Sequence, residues 1–123
     1  MGVDAVDVAR FRVVLARRPA LVPRLFTDGE QDYAARSSDP GLRLAARFAA
    51  KEAVLKALGS GIGAAALRDI EVERLPSGRP SVRLHRTAAA LAGRRGVRRW
   101  HLSLSHTGTV AIATVVAEGG SAP

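Results

Sequence analysis

The stretch from Leu42 to Leu58 constrains this chain more than any other feature. Alanine, leucine, arginine and lysine dominate it, and these residues lose little freedom on entering a helix. No glycine or proline interrupts it before Gly59, a helix-stopping signal. The remainder of the chain is too broken for a second helix of that length. Asp69–Glu73 and Pro80–Leu84 alternate apolar and polar residues around a Pro76-Ser77-Gly78 turn, the pattern of a hairpin. Arg99–Leu104 and Thr109–Val116 read as two further strands, joined through Ser105-His106-Thr107-Gly108. Only Thr87–Ala92 reads as helix between them. One dominant helix with hairpins predicts an α+β fold, an antiparallel sheet packed with helices.

The N-terminal part fits that plan. Gly2–Val8 reads as a short strand leading into a helix over Val8–Arg18, where Phe11, Val14 and Leu15 recur at helical spacing. Arg10 and Arg17 lie seven apart and share a face beside that stripe, which by itself describes a solvated helix face. Pro19 and Pro23 interrupt the pattern. Thr27-Asp28-Gly29-Glu30 spaces a capping box for a second helix, and Ala35–Gly41 is a loop by composition. A chain of 123 residues supports one domain, 1–123, with Gly119–Pro123 as a frayed tail.

Composition narrows the functional classes. There is no cysteine, which excludes disulfides, thiolate metal sites and a cysteine nucleophile. No apolar run approaches the roughly 18–20 residues that span a bilayer. The start, Met1-Gly2-Val3-Asp4, fits neither a secretory signal nor a myristoylation site, so a soluble cytoplasmic domain is expected. The net charge is +8, and all cations but Lys51 and Lys56 are arginine. From Arg74 to Ala117 there are eight arginines and no carboxylate. Such a surface attracts phosphates, nucleic acid or an acidic protein. One Trp, one Tyr and three Phe leave few stacking platforms for nucleic acid, and no groove-reading motif is present.

Three places could carry chemistry. In a helix Ala45, Ala49, Glu52 and Lys56 form one line. Glu52 and Lys56 then make either an ordinary surface pair or part of a site, since alanine neighbours let another segment or a ligand approach closely. Both lysines of an arginine-rich chain stand in this helix, and a compact ammonium suits point contact with a phosphate. Asp4 is a carboxylate in an apolar strand and needs a cation or hydrogen bonds if buried; Asp7 suits a helix N-terminus. Two carboxylates are a usual protein share of a Mg²⁺ site, and Asp4 with Glu52 qualify if the fold unites them. His106 sits in a hairpin turn, where a structural role and a binding role both remain open. Gly59-Ser60-Gly61-Ile62-Gly63-Ala64 closes a helix rather than opening one, which excludes a dinucleotide fingerprint.

Taken in order, Gly2-Val3-Asp4, Arg47-Phe48-Ala49-Ala50-Lys51-Glu52-Ala53 with Lys56-Ala57-Leu58-Gly59, Asp69-Ile70-Glu71-Val72, Gly78-Arg79-Pro80 and Ser103-Leu104-Ser105-His106-Thr107 form one set. That set resembles the holo-acyl-carrier-protein synthase type of 4′-phosphopantetheinyl transferase, from Gly2 to Glu118. The resemblance implies the 4′-phosphopantetheinyl transferase-like fold. It also implies a Mg²⁺-dependent reaction that moves 4′-phosphopantetheine from coenzyme A to a serine of an apo acyl carrier protein, releasing 3′,5′-ADP.

The same resemblance assigns residues. Asp4 and Glu52 match magnesium-binding carboxylates, and Glu52 and Lys56 become the catalytic pair. Lys56, Gly59, His106 and Thr107 fall at coenzyme A-binding positions, although Thr107 stands where some relatives carry aspartate. Arg10 and Arg17 fall where the first helix meets an acidic carrier protein. The implied assembly is a homotrimer with sites at subunit interfaces, with no membrane and no specific nucleic acid among the partners. Either Glu52 or a metal-bound water can accept the serine proton. Displacement at a diphosphate phosphorus needs charge neutralisation more than covalent catalysis, which suits this residue set.

Overall fold

A computed structural model of the protein describes residues 1–61 and 63–119. Strand β1 (Gly2–Asp7) runs into helix α1 (Val8–Arg17), followed by the short helix α2 (Leu21–Leu25), α3 (Asp28–Ala35) and the long α4 (Pro40–Ala57). A 3-10 turn (Leu67–Asp69) leads to β2 (Ile70–Arg74) and β3 (Pro80–Leu84), then α5 (Arg86–Arg94), β4 (Val97–His106) and β5 (Val110–Gly119). The expected α+β plan is therefore present. Of the expected frayed tail, Gly119 belongs to β5 and 120–123 lie outside the described residues, as does Ile62 of the Ser60–Gly63 turn.

The strands form two antiparallel sheets, β1-β5-β4 and β2-β3. The N-terminal strand thus lies beside the C-terminal one, a long-range pairing that local periodicity cannot reveal. In its register Asp4 faces Ala113 of β5, which in turn faces Leu104 of β4.

Local chemistry accounts for the helix ends. Asp7 caps α1 by accepting from Arg10 N at 2.9 Å. Pro23 is tolerated because it stands in the first turn of α2, where the N–H it lacks has no intrahelical acceptor. The capping box of α3 is complete: Thr27 Oγ1 accepts from Glu30 N, and Glu30 Oε1 accepts from Thr27 N at 2.9 Å. Helix α4 begins two residues earlier than its composition suggests, since Asp39 caps it and Pro40 opens it. It closes in a Schellman motif, Ser60 N to Leu55 O and Gly59 N to Lys56 O, both 2.9 Å. That motif needs the left-handed φ of +73° found at Gly59.

Helix α4 is the spine of the molecule, packed on β1 and β5. Its alanines Ala45, Ala49 and Ala53 are fully buried, so the small-residue stripe serves another segment of the chain. The closest approach is at Gly2, where an added Cβ would stand 2.1 Å from Ala53 O. Around α4 lie two apolar clusters. One joins Leu55, Ile70, Val72, Leu91 and Val115; the other gathers Phe11, Phe26 and Phe48 beneath α1 and α3.

Candidate active site

The close seating of β1 on α4 brings Asp4 to the last turn of that helix. Lys56 Nζ stands 2.7 Å from Asp4 Oδ1 and donates to Val3 O at 3.2 Å. Glu52, one turn earlier, has a carboxyl pushed up from its ordinary range by burial first and the charge of Asp4 second, while Lys56 pulls the other way. Lys56 is raised by its hydrogen bond and attraction to Asp4. Among the described residues no hydrogen bond reaches the Glu52 carboxylate. Two neighbouring carboxylates, one of them uncommitted and destabilised by the other's charge, are what a divalent cation relieves. Asp4 and Glu52 therefore fit a Mg²⁺ ion by their donor chemistry.

Asp4, Glu52, Lys56 and Arg10 line one cavity of about 740 Å³, together with apolar residues that include Phe48 and Val14. Sequence reasoning grouped Asp4, Glu52 and Lys56, and the fold brings these three to one cavity; Arg10, expected only at a docking face, lines it as well. Arg17 stands exposed in the last turn of α1. The other lysine is not at the site. Lys51 is wholly buried and donates to Glu30 Oε1 at 2.7 Å, to Leu67 O at 3.0 Å and to Ile70 O. An ammonium has three protons, and here each finds an acceptor. Lysine replaces arginine at 51 because the space is built for a point donor, so this lysine makes no phosphate contact.

His106 lies elsewhere. It ends β4, and its Nδ1 is 3.3 Å from Thr107 O. The Thr107 hydroxyl accepts from Thr109 N at 3.2 Å and Val110 N at 3.0 Å, so it shapes the turn that presents His106. Gly59 closes α4, where Arg95 Nη1 donates to Leu58 O at 2.9 Å. Asp4 and His106 occupy opposite edge strands of a three-stranded sheet, two strand spacings or about 10 Å apart across it.

His106 lines a second cavity, of about 470 Å³, with Tyr33, Arg43, Arg47, Arg74 and Arg79. Among the described residues none lines both cavities. Nor, among them, has any of these four arginines an ion-pair partner, and the buried Nε atoms of Arg43 and Arg47 find no acceptor. A cavity with four cations and no carboxylate is an anion site by composition. Sequence reasoning noticed the carboxylate-free arginine run but missed Tyr33, Arg43 and Arg47, because the wall is assembled from α3, α4, β2, β3, β4 and the turn between β2 and β3.

Comparison with known proteins places the chain in context. A family model of the 4′-phosphopantetheinyl transferase superfamily matches residues 1–115. A holo-[acyl-carrier-protein] synthase of Frankia casuarinae is 52% identical over 118 residues, covering 96% of this chain and 95% of that protein. The crystal structure of the Neisseria meningitidis holo-[acyl-carrier-protein] synthase superposes with a TM-score of 0.87 at 33% identity, covering 95% of each chain. The Helicobacter pylori holo-[acyl-carrier-protein] synthase, solved in complex with coenzyme A, gives a TM-score of 0.83 at 28% identity, over 95% of this chain and 98% of that one.

Proposed function

The chain belongs to the 4′-phosphopantetheinyl transferase superfamily, and from that membership we propose how its residues divide the work. It is a phosphopantetheinyl transferase that moves 4′-phosphopantetheine from coenzyme A to an acyl carrier protein, with 3′,5′-ADP as the other product. The observation that carries the assignment of residues is the meeting of Asp4, Glu52 and Lys56 in one cavity.

Asp4 and Glu52 hold a Mg²⁺ ion, which when bound neutralises charge on the diphosphate and on the departing 3′,5′-ADP. Lys56 keeps Asp4 oriented and adds a positive charge beside it. Glu52, whose carboxylate no hydrogen bond reaches among the described residues, is the group of this chain that accepts the proton of the carrier's serine. Arg10 at the cavity rim and Arg17 farther along α1 meet an acidic carrier protein. Exposed Val13 and Val14 give that face an apolar centre.

The arginine cavity takes phosphate at the nucleotide end of coenzyme A, with His106 in its wall, Thr107 holding the turn beside His106 and Gly59 ending the helix that carries Lys56. Because the two cavities share no described residue, each active site combines the carboxylate face of one subunit with the arginine face of the next, in a cytoplasmic homotrimer. The sheet face opposite α4 supports that assembly, since Val3 and Val116 are 49% and 41% exposed on it. The test is to incubate the protein with coenzyme A, Mg²⁺ and an apo acyl carrier protein, then weigh the carrier. A gain equal to one phosphopantetheine group that vanishes with EDTA is the expected result. No gain across several apo carriers would overturn the reading.

A further inference from the structure

Tyr33 is the chain's one tyrosine, and it stands against two arginines of the anion cavity. The Arg47 guanidinium lies over its ring, 4.2 Å from the centroid. Arg74 Nη1 donates to its hydroxyl at 2.5 Å. Tyr33 therefore joins an arginine from the middle of α4 to one at the end of β2. A guanidinium stacked on an aromatic face keeps its N–H edges outward in a fixed plane. Arg47 needs such support, being only 5% exposed with no ion-pair partner among the described residues. Burial pulls its proton affinity down, and the charge of Glu30 counters that only in part. An arriving anion supplies the missing charge.

The nature of the anion rests on the function proposed above. Coenzyme A carries a diphosphate and a separate 3′-phosphate. Asp4, Glu52 and Lys56 account for the diphosphate, which leaves the four-arginine cavity for the phosphomonoester, a dianion near neutral pH. We propose that Tyr33 is a positioning residue: by stacking Arg47 and accepting from Arg74 it presents both guanidinia to the 3′-phosphate, and so makes the enzyme prefer coenzyme A over its 3′-dephospho form. Convergence of positive charge on this tyrosine is visible in its own titration. Burial pushes the phenol up, yet the hydrogen bond from Arg74 and the charges of Arg74, Arg43 and Arg47 together bring it below its ordinary value.

The experiment measures KM and kcat for coenzyme A and for 3′-dephospho-coenzyme A in the wild type, Tyr33→Leu and Tyr33→Phe. Losing the stack in Tyr33→Leu is expected to raise KM for coenzyme A about tenfold, and losing only the hydroxyl in Tyr33→Phe about threefold. In both variants kcat stays within about twofold of wild type, and KM for the dephospho donor does not change. A parallel rise of KM for both donors, a fall in kcat alone, or unchanged values for either folded variant overturns the proposal. Should Tyr33→Leu fail to fold, Tyr33→Phe decides it. Calorimetric titration with 3′,5′-ADP and 5′-AMP separates this inference from the reading beneath it. If the wild type does not modify a carrier, the proposed function falls. The Tyr33 role then survives only if 3′,5′-ADP binds more tightly than 5′-AMP and Tyr33→Leu removes the difference.

Discussion

Lys56 Nζ and Asp4 Oδ1 lie 2.7 Å apart although 52 residues separate them in the sequence. One ammonium ties the last turn of α4 to β1 and orients Asp4, while Glu52 remains without a hydrogen-bond partner among the described residues. The two carboxylates are thus chemically unequal. Asp4 is held, and Glu52 is available.

That inequality predicts the behaviour of Glu52→Gln. Transfer should fall by at least about 100-fold, the usual scale for losing a general base. Thermal melting without metal should be no lower than wild type, because the substitution removes a partly buried charge facing Asp4. Rate assays and a melting curve on one preparation check both halves, and an undiminished rate would remove Glu52 from the site.

Gly2→Ala should damage stability and activity together. Its Cβ would meet Ala53 O at 2.1 Å and Ala57 N at 2.9 Å, both backbone atoms that cannot turn aside. Separating β1 from α4 is expected to cost at least about 2 kcal/mol in chemical denaturation, within the range for overpacking. Asp4 moves with the strand, so transfer by the folded fraction should also drop.

Lys51→Met should destabilise the protein by about 3–5 kcal/mol, because it strands the Glu30 charge in the interior. Glu30 also accepts from Val72 N at 2.9 Å and from Thr27 N, so α3, α4 and β2 loosen together. Lys51→Arg should not restore stability, since a planar guanidinium cannot replace a point donor among three acceptors. Urea midpoints of the two variants test this.

Glu71 predicts a pH dependence of stability. Burial works to raise its carboxyl, but hydrogen bonds from His85 and from Thr27 Oγ1, each 2.8 Å, outweigh that and lower it. A carboxyl lower in the folded than in the unfolded state stabilises folding above the unfolded value, about 4.3 for glutamate. That contribution is lost as pH falls through the lower folded value. The stability gap between wild type and Glu71→Gln should be present above the unfolded value and should close in acid. A gap that widened in acid would contradict the assignment.

The proposed division of the site between subunits has its own test. Glu52→Gln and Arg47→Ala chains should each be inactive, yet mixing them by unfolding and refolding together should restore activity. Random mixing in a closed ring places intact faces together at about a quarter of the sites. Recovery near that fraction supports shared sites, and none would assign both faces to one subunit.

Local chemistry in the sequence determined the elements. The Thr27–Glu30 capping box, the Gly59 stop, the period-two strands and the helical spacing of Phe11, Val14 and Leu15 act over a few residues, and each reappears in the fold. The motif set also determined the family. What only the tertiary structure decided is which charges meet. The two lysines look alike on one helix, but Lys51 faces inward to Glu30, Leu67 and Ile70 while Lys56 reaches β1. Tyr33, Arg47, Arg74 and His106 come from four elements, and no spacing rule links them. Side-chain environment depends on long-range packing, chiefly the seating of Gly2 against Ala53 and the pairing of β1 with β5. The first joins the N-terminal strand to the middle of the chain and the second joins β1 to β5, both beyond the reach of any local pattern.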